Sequence, residues 1–241
     1  MKEDRRNAFV RSLRIISYLI DITSVFVFLK IYKLIDRIKS NTAYSDLQFL
    51  FFAARDGWGK GEIVEIGAFN GKSTVALALG AKLSGREKVT SIDPHYGGTE
   101  KILRRNGGDM GVDDYVAPKI TTSEEAKSEF NSAIRLMFID GNHEYDFIKK
   151  DIVLWKDLVI EGGIIAFHDY NWLGVARAID EEIRNTGKFA VEGTVGCTLI
   201  VSKMPQRNAE LFEKIWLFNR LKSVLWPPER RLVKKRKVPN V

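Results

Sequence analysis

Cysteine is almost absent: Cys197 stands alone in 241 residues. A single thiol excludes an intrachain disulfide and any multi-cysteine metal site, and it suits a reducing, cytoplasmic setting. A long hydrophobic run is also missing. The apolar stretch from Ile15 to Leu29 has fifteen residues and is interrupted by Asp21, whereas a bilayer span needs about 20. It reads as an amphipathic or interfacial helix. Basic residues precede it, but no small-residue cleavage site follows as in a secretory signal. Glycine and proline are absent from the first forty residues, so nothing there breaks a helix.

Net positive charge is lacking in the middle of the chain, although the whole carries +7. Residues 229–241 carry +5 and residues 1–14 carry +3, leaving −1 for all that lies between. A nucleic-acid groove built into the fold is therefore not expected. Basic ends that touch an acidic surface, such as an anionic membrane, are the expectation instead. Hydrophobic content of 45% with 29% charged residues marks a globular chain with a sizeable core. One α/β domain with extensions fits the length.

From Glu62 onward, apolar runs of strand length alternate with helix-length segments. Strands are predicted at Ile63–Ile66, Val89–Ile92, Leu136–Ile139, Gly163–Phe167 and Cys197–Val201, where Cys197 would be a small buried residue. Helices are predicted at residues 43–57, Lys72–Leu83, Asp146–Val159 and Trp172–Arg184. The pattern defines an α/β, Rossmann-like, doubly wound and mostly parallel sheet. A closing antiparallel hairpin is expected between Phe189 and Val201, with terminal helical extensions on the whole. The divisions are an N-terminal helical extension at 1–42, a central domain at 43–203, and an amphipathic helix with a basic tail at 204–241.

The stretch Glu62-Ile-Val-Glu-Ile-Gly-Ala-Phe-Asn-Gly-Lys-Ser-Thr74 runs from a buried strand through a glycine turn into a helix. Gly67 and Gly71 permit a tight turn and close approach of a ligand to the backbone. Amides at the helix start, around Ser73, can receive a carboxylate or phosphate. A P-loop has four residues between its glycines where this chain has three, and a dinucleotide fingerprint would need a third glycine. Asp93 ends the second strand, where an acid can accept the ribose hydroxyls of an adenosine ligand. Enzymes that use NAD place an acid there too.

All three histidines, His95, His143 and His168, follow predicted strand ends, the edge at which open α/β sheets bind ligands. Asp140 and His143 follow one strand, and His168 and Asp169 another. Two carboxylates and an imidazole are a donor set for a divalent cation such as Mg²⁺ or Mn²⁺. An imidazole titrating near neutrality can serve as a base; holding the loop by hydrogen bonds is the alternative. His95, before Tyr96-Gly97-Gly98, reads as an exposed histidine on a mobile loop. Trp172 can shape a pocket or simply pack.

The wording Val64-Glu-Ile-Gly-Ala-Phe-Asn-Gly-Lys-Ser-Thr74 resembles motif I of class I S-adenosylmethionine-dependent methyltransferases. Ile139-Asp-Gly-Asn-His143 and His168-Asp-Tyr170 resemble two further signatures of the subfamily containing macrolide-sugar O-methyltransferases and cephalosporin-hydroxylase-like proteins. The resemblance covers roughly residues 45–203. It implies S-adenosylmethionine as cofactor, held by Glu65, Gly67, Gly71, Ser73 and Asp93, with the backbone near Ser123 and Glu124 at the adenine. It implies methyl transfer to a hydroxyl of a small molecule or sugar. His143 and Asp140 are then the expected catalytic residues, and Asp140, His168 and Asp169 the expected metal ligands. Catechol-type members carry carboxylate and amide where this chain has His168-Asp169, which leaves the metal open. A non-catalytic cofactor-binding or scaffold protein of the same fold, and a phosphate-binding NTPase, are the competing readings. A homo-oligomer is also compatible with the sequence.

Overall fold

The computed structural model describes residues 30–204. The interfacial segment expected at Ile15–Leu29, and the amphipathic helix and basic tail expected after Met204, lie outside the described residues. No helix among the described residues is long and apolar enough to cross a membrane.

Seven strands form one sheet: β1 (Glu62–Ile66), β2 (Val89–Ile92), β3 (Val116–Lys119), β4 (Ile134–Ile139), β5 (Val159–Phe167), β6 (Phe189–Val195) and β7 (Thr198–Lys203), in the order β3-β2-β1-β4-β5-β7-β6. The first five run parallel. The hairpin β6–β7 closes the sheet antiparallel to β5. Packed on it are the helices α1 (Tyr44–Asp56), α2 (Lys72–Ser84), α3 (Glu100–Asp109), α4 (Ser123–Glu129), α5 (Tyr145–Trp155) and α6 (Leu173–Glu182).

Side chains on a strand alternate between faces, and two cores follow from that. Ile63, Leu136, Phe138, Ile164, Ala166 and Ile200 meet α1 and α2 on one face. Val64, Met137, Ile139, Ile165, Phe167 and Leu199 meet α5 and α6 on the other. Helix α1 is buried along nearly its whole length from Asp46 to Ala54. Phe49, Phe51 and Phe52 are all buried, because α1 packs against α2 as well as against the sheet. Ile35 and Ile38, upstream of α1, join this core.

Strand β2 has the expected bounds, β1 begins one residue earlier than expected, and the closing hairpin is present, but other details differ. Strand β3 carries no apolar run; its Val-Ala-Pro-Lys is half-buried at the sheet edge, a place that tolerates proline. Strand β5 begins at Val159, which the helical spacing had assigned to the preceding helix. Cys197 is exposed in the turn between β6 and β7. The hairpin reverses at Gly196-Cys197, so the thiol is outside the strand that would have buried it.

Arg135, on β4, is buried. Its guanidinium donates to the carbonyls of Ala53 and Ala54, the end of α1, and to Glu87 at 3.0 Å. One side chain thus caps a helix terminus and carries a paired charge. Replacing it with methionine keeps the stem and removes every donor. Urea denaturation of Arg135→Met should show a loss of roughly 2–4 kcal/mol; a change under about 0.5 kcal/mol would refute this account of the cap.

Candidate functional site

Adjacent parallel strands end together at the carboxyl edge of the sheet, and the loops after β1, β2, β4 and β5 meet there. Gly67 donates to the Ile92 carbonyl, Asp140 to the Ile66 carbonyl, and His168 to the Ile139 carbonyl. This ladder links all four loops. At Gly67 a Cβ would lie 2.1 Å from the Asp140 carbonyl oxygen, and φ is +87°, so both space and conformation demand glycine.

Asp93 grips the loop after β1. One oxygen accepts from the amides of Ala68 at 2.9 Å and Phe69 at 2.8 Å, and the other from His95 at 2.6 Å. A carboxylate offers about four acceptor positions, so three are used within the protein and one is left for a ligand. The grip also holds backbone that would otherwise relax. Phe69, His95 and Asp169 are the non-glycine residues with positive φ among the described residues. Each stands just past a strand end, and such strain costs on the order of 1–3 kcal/mol unless the surroundings enforce it.

Glu65 is fully buried. The Thr74 hydroxyl donates to one of its oxygens, and the other has no protein partner. Burial pushes its carboxyl up to about 7, against the opposing effect of hydroxyls at Ser73, Thr74 and Ser91. Asn70, also buried, leaves its side-chain oxygen without a partner. Its amide nitrogen donates to the Lys39 carbonyl, and Lys72 pairs with Asp36. Residues 36–39 therefore brace the glycine loop, a role that no motif announced. Gly71 stands at the N-terminus of α2 in a left-handed conformation.

His95 differs from the sequence expectation. It is buried, with Nδ1 2.7 Å from the Thr99 hydroxyl; the neighbouring Tyr96 is exposed. The tight turn set by Asp93 folds the ring inward. Ser123 donates to Asp151, a buried carboxylate on α5 pushed up to about 6 by desolvation.

Asp140, His143, His168 and Asp169 converge, one ligand atom of each lying within 4.8 Å of the others. His168 Nδ1 is 3.0 Å from Asp140 and 3.5 Å from Asp169. His143 Nε2 is 3.7 Å from Asp140 and 3.6 Å from Asp169. His168 is 4% exposed and His143 27% exposed, but His143 Nε2, turned toward the two carboxylates, is itself buried. The His143 ring lies 5.0 Å from that of Trp172, itself exposed. The Asp140 carboxylate raises the pKa of His143 above its ordinary value. Burial alone would lower that of His168, but Asp140 and Asp169 outweigh it and raise it. Burial pushes Asp140 up, and the two imidazoles more than reverse this. Such mutual charge stabilisation suits a bound cation or proton at the centre.

The fold and this edge have counterparts among known proteins. Residues 64–170 match the family model described as a methyltransferase domain. An uncharacterized protein of Acanthamoeba polyphaga mimivirus is 29% identical over 114 residues, covering 44% of this chain and 50% of that protein. The chain spans about half the length of this curated relative. The structure of an O-methyltransferase from Bacillus cereus in complex with S-adenosylhomocysteine is similar with a TM-score of 0.57, 17% identity and coverage of 75% of this chain and 91% of that one. A Podospora anserina methyltransferase with S-adenosylhomocysteine bound gives 0.58, 16%, 74% and 88%. At such identities the likeness is one of fold.

The raised pKa of Glu65 makes a prediction about stability. Above its ordinary value of 4.5 the unfolded chain releases this proton while the folded protein retains it up to about 7, so stability falls as pH rises through that window. Relative to Glu65→Gln, the wild type should lose on the order of 3 kcal/mol between these limits. Urea melts of both proteins across the window check this; parallel stability curves would contradict it.

Proposed function

We propose that the protein transfers a methyl group from S-adenosylmethionine to a hydroxyl of a small molecule or sugar. The observation that carries this reading is the convergence of Asp140, His143, His168 and Asp169 beside the glycine loop at one sheet edge. Glu65 and Asn70 each offer a buried oxygen without a partner, and these acceptors fit the ammonium group of a methionine moiety. Gly67, Gly71 and Ser73 shape the loop that follows. Asp93 presents its one remaining acceptor position to a ribose hydroxyl, while its other contacts keep the loop closed. The His/Asp group fits a divalent cation, with Asp140, His168 and Asp169 as its ligands.

When bound, the sulfonium supplies the electrophilic methyl, and a cation at the carboxylates lowers the pKa of a nearby hydroxyl. Displacement at a methyl carbon demands alignment above all, and the rigid strand ends provide it. His143 would take the hydroxyl proton as the methyl–oxygen bond forms and the methyl–sulfur bond breaks, leaving S-adenosylhomocysteine. Asp140 orients that imidazole and stabilises the cation it becomes. The exposed Trp172 flanks the same ring and limits the direction from which an acceptor arrives.

A second reading makes His143 a fourth metal ligand, since its Nε2 belongs to the same convergent group. A labelled-methyl transfer assay over a panel of hydroxylated acceptors, with and without EDTA, separates the two. As a base, His143→Ala should lose roughly 100-fold or more in rate while retaining cofactor and metal. As a ligand, it should lose metal as well. Asp169→Ala should lower metal affinity and turnover together. Turnover unaffected by EDTA would remove the metal, and a near-normal rate in His143→Ala would remove the base.

A further inference from the structure

The mechanism above uses the inside of the carboxyl edge and leaves its outer rim unexplained. Five aromatic side chains are exposed among the described residues: Trp58, Phe69, Tyr96, Phe147 and Trp172. Trp58 precedes β1, at the amino end of the strands. The other four follow β1, β2, β4 and β5, so all four rim the carboxyl edge.

The turn after β5 is the most exposed part of this rim. Leu173 is 89% exposed and Trp172 56% exposed. Trp172 occupies the N-cap of α6 with no side-chain cap bond, and Leu173 is the first helical residue. Ser, Thr, Asp and Asn serve a helix start far better, because their side-chain oxygens accept from its free amides. Apolar residues held in water where local chemistry prefers polar ones point to a partner outside the fold. Gly174 fixes the turn from below. A Cβ there would lie 2.6 Å from the His143 carbonyl oxygen, so the turn is pressed onto the loop after β4 and its two large side chains are left on the solvent side.

The course of the chain is a second observation. Asp46, buried in the first turn of α1, accepts from the Cys197 amide at 3.1 Å and the Thr198 hydroxyl at 2.7 Å. Those partners open β7, which runs antiparallel to β5 and so starts where β5 ends. Asp36 and Lys39 are tied to the glycine loop at the same edge. Residues 36–46 therefore run along the carboxyl edge, and the described chain begins about two helical turns before Asp36. The sequence upstream of that point holds the apolar stretch Ile15–Leu29 and, before it, the net +3 of residues 1–14.

We propose that the carboxyl edge docks on an anionic lipid surface, with Trp172 and Leu173 entering the headgroup layer, and thereby turns the His/Asp group toward that surface. Tryptophan suits the lipid–water boundary because its ring is apolar and its N–H stays wet. A basic segment beside an apolar one strengthens attachment to anionic headgroups. The docking surface stands independently of the methyl-transfer reading.

Cosedimentation of the full chain with phosphatidylcholine vesicles, with and without phosphatidylglycerol, tests it. The wild type should pellet with the anionic vesicles and far less with the neutral ones. Leu173→Ser changes no charge, and serine is favoured at helix starts, so the melting midpoint should hold while the partition falls roughly tenfold or more. Trp58→Ala, at the opposite edge, should bind as the wild type does. A polarity-sensitive fluorophore on Cys197, exposed in the β6–β7 turn, should shift to the blue on anionic vesicles. A wild type that stays in the supernatant, equal partition of wild type and Leu173→Ser, an equal fall in Trp58→Ala, or an unshifted fluorophore would overturn the proposal. A wild-type dimer that Leu173→Ser splits in sedimentation velocity would assign the edge to a second copy and overturn it too. Vesicle binding by a wild type that binds no S-adenosylhomocysteine would sink the methyl-transfer reading and leave the docking surface standing.

Discussion

The backbone contact between Gly67 and Asp140 is the constraint on which the site depends. With a hydrogen in place of a Cβ at Gly67, the loop after β1 lies directly against the loop after β4, where a Cβ would come within 2.1 Å of a carbonyl oxygen. That approach sets the glycine loop beside the His/Asp group. The pairing of β4 with β5 then brings His168 and Asp169 to the same edge. Asp93 fixes the remaining side by drawing three amides onto one carboxylate. Main-chain geometry, set by the sheet, thus does most of the positioning, and the side chains add charge.

That charge is concentrated and partly buried. Asp140 lies at its centre, in contact with two imidazoles. Acids kept ionised beside raised imidazoles form a balanced group that stays polar inside a sheet edge otherwise lined by Ile66, Ile139 and Phe167. Glu65 is the exception. It is buried with hydroxyls rather than cations for company, and its carboxyl is displaced upward instead.

Much of the fold was legible because periodicity and glycine report on the backbone directly. Val-Glu-Ile-Gly and Thr-Ser-Ile-Asp mark strands that end where a ligand edge must lie, and the turn residues before Thr198 mark the hairpin. Strand β3 was not legible, since a short edge strand containing proline buries too little to leave an apolar run. The residues Asp140, His143, His168 and Asp169 stood out because histidines beside carboxylates at strand ends are chemically conspicuous. Asp46 did not. A single acid in Tyr-Ser-Asp-Leu-Gln-Phe reads as an ordinary first-turn residue, and only tertiary pairing with the β6–β7 turn gives it a second meaning. The burial of His95 escaped for a similar reason, because it follows from the turn that Asp93 imposes and not from the glycines after it.

The central claim is that this edge is an adenosyl sulfonium site and not a phosphate cradle. Isothermal titration of the wild-type chain with S-adenosylhomocysteine, NAD and ATP tests it most directly. Saturable one-to-one binding of S-adenosylhomocysteine, with ATP and NAD weaker or silent, is the result expected. Tight ATP binding in the absence of any S-adenosylhomocysteine binding would contradict it.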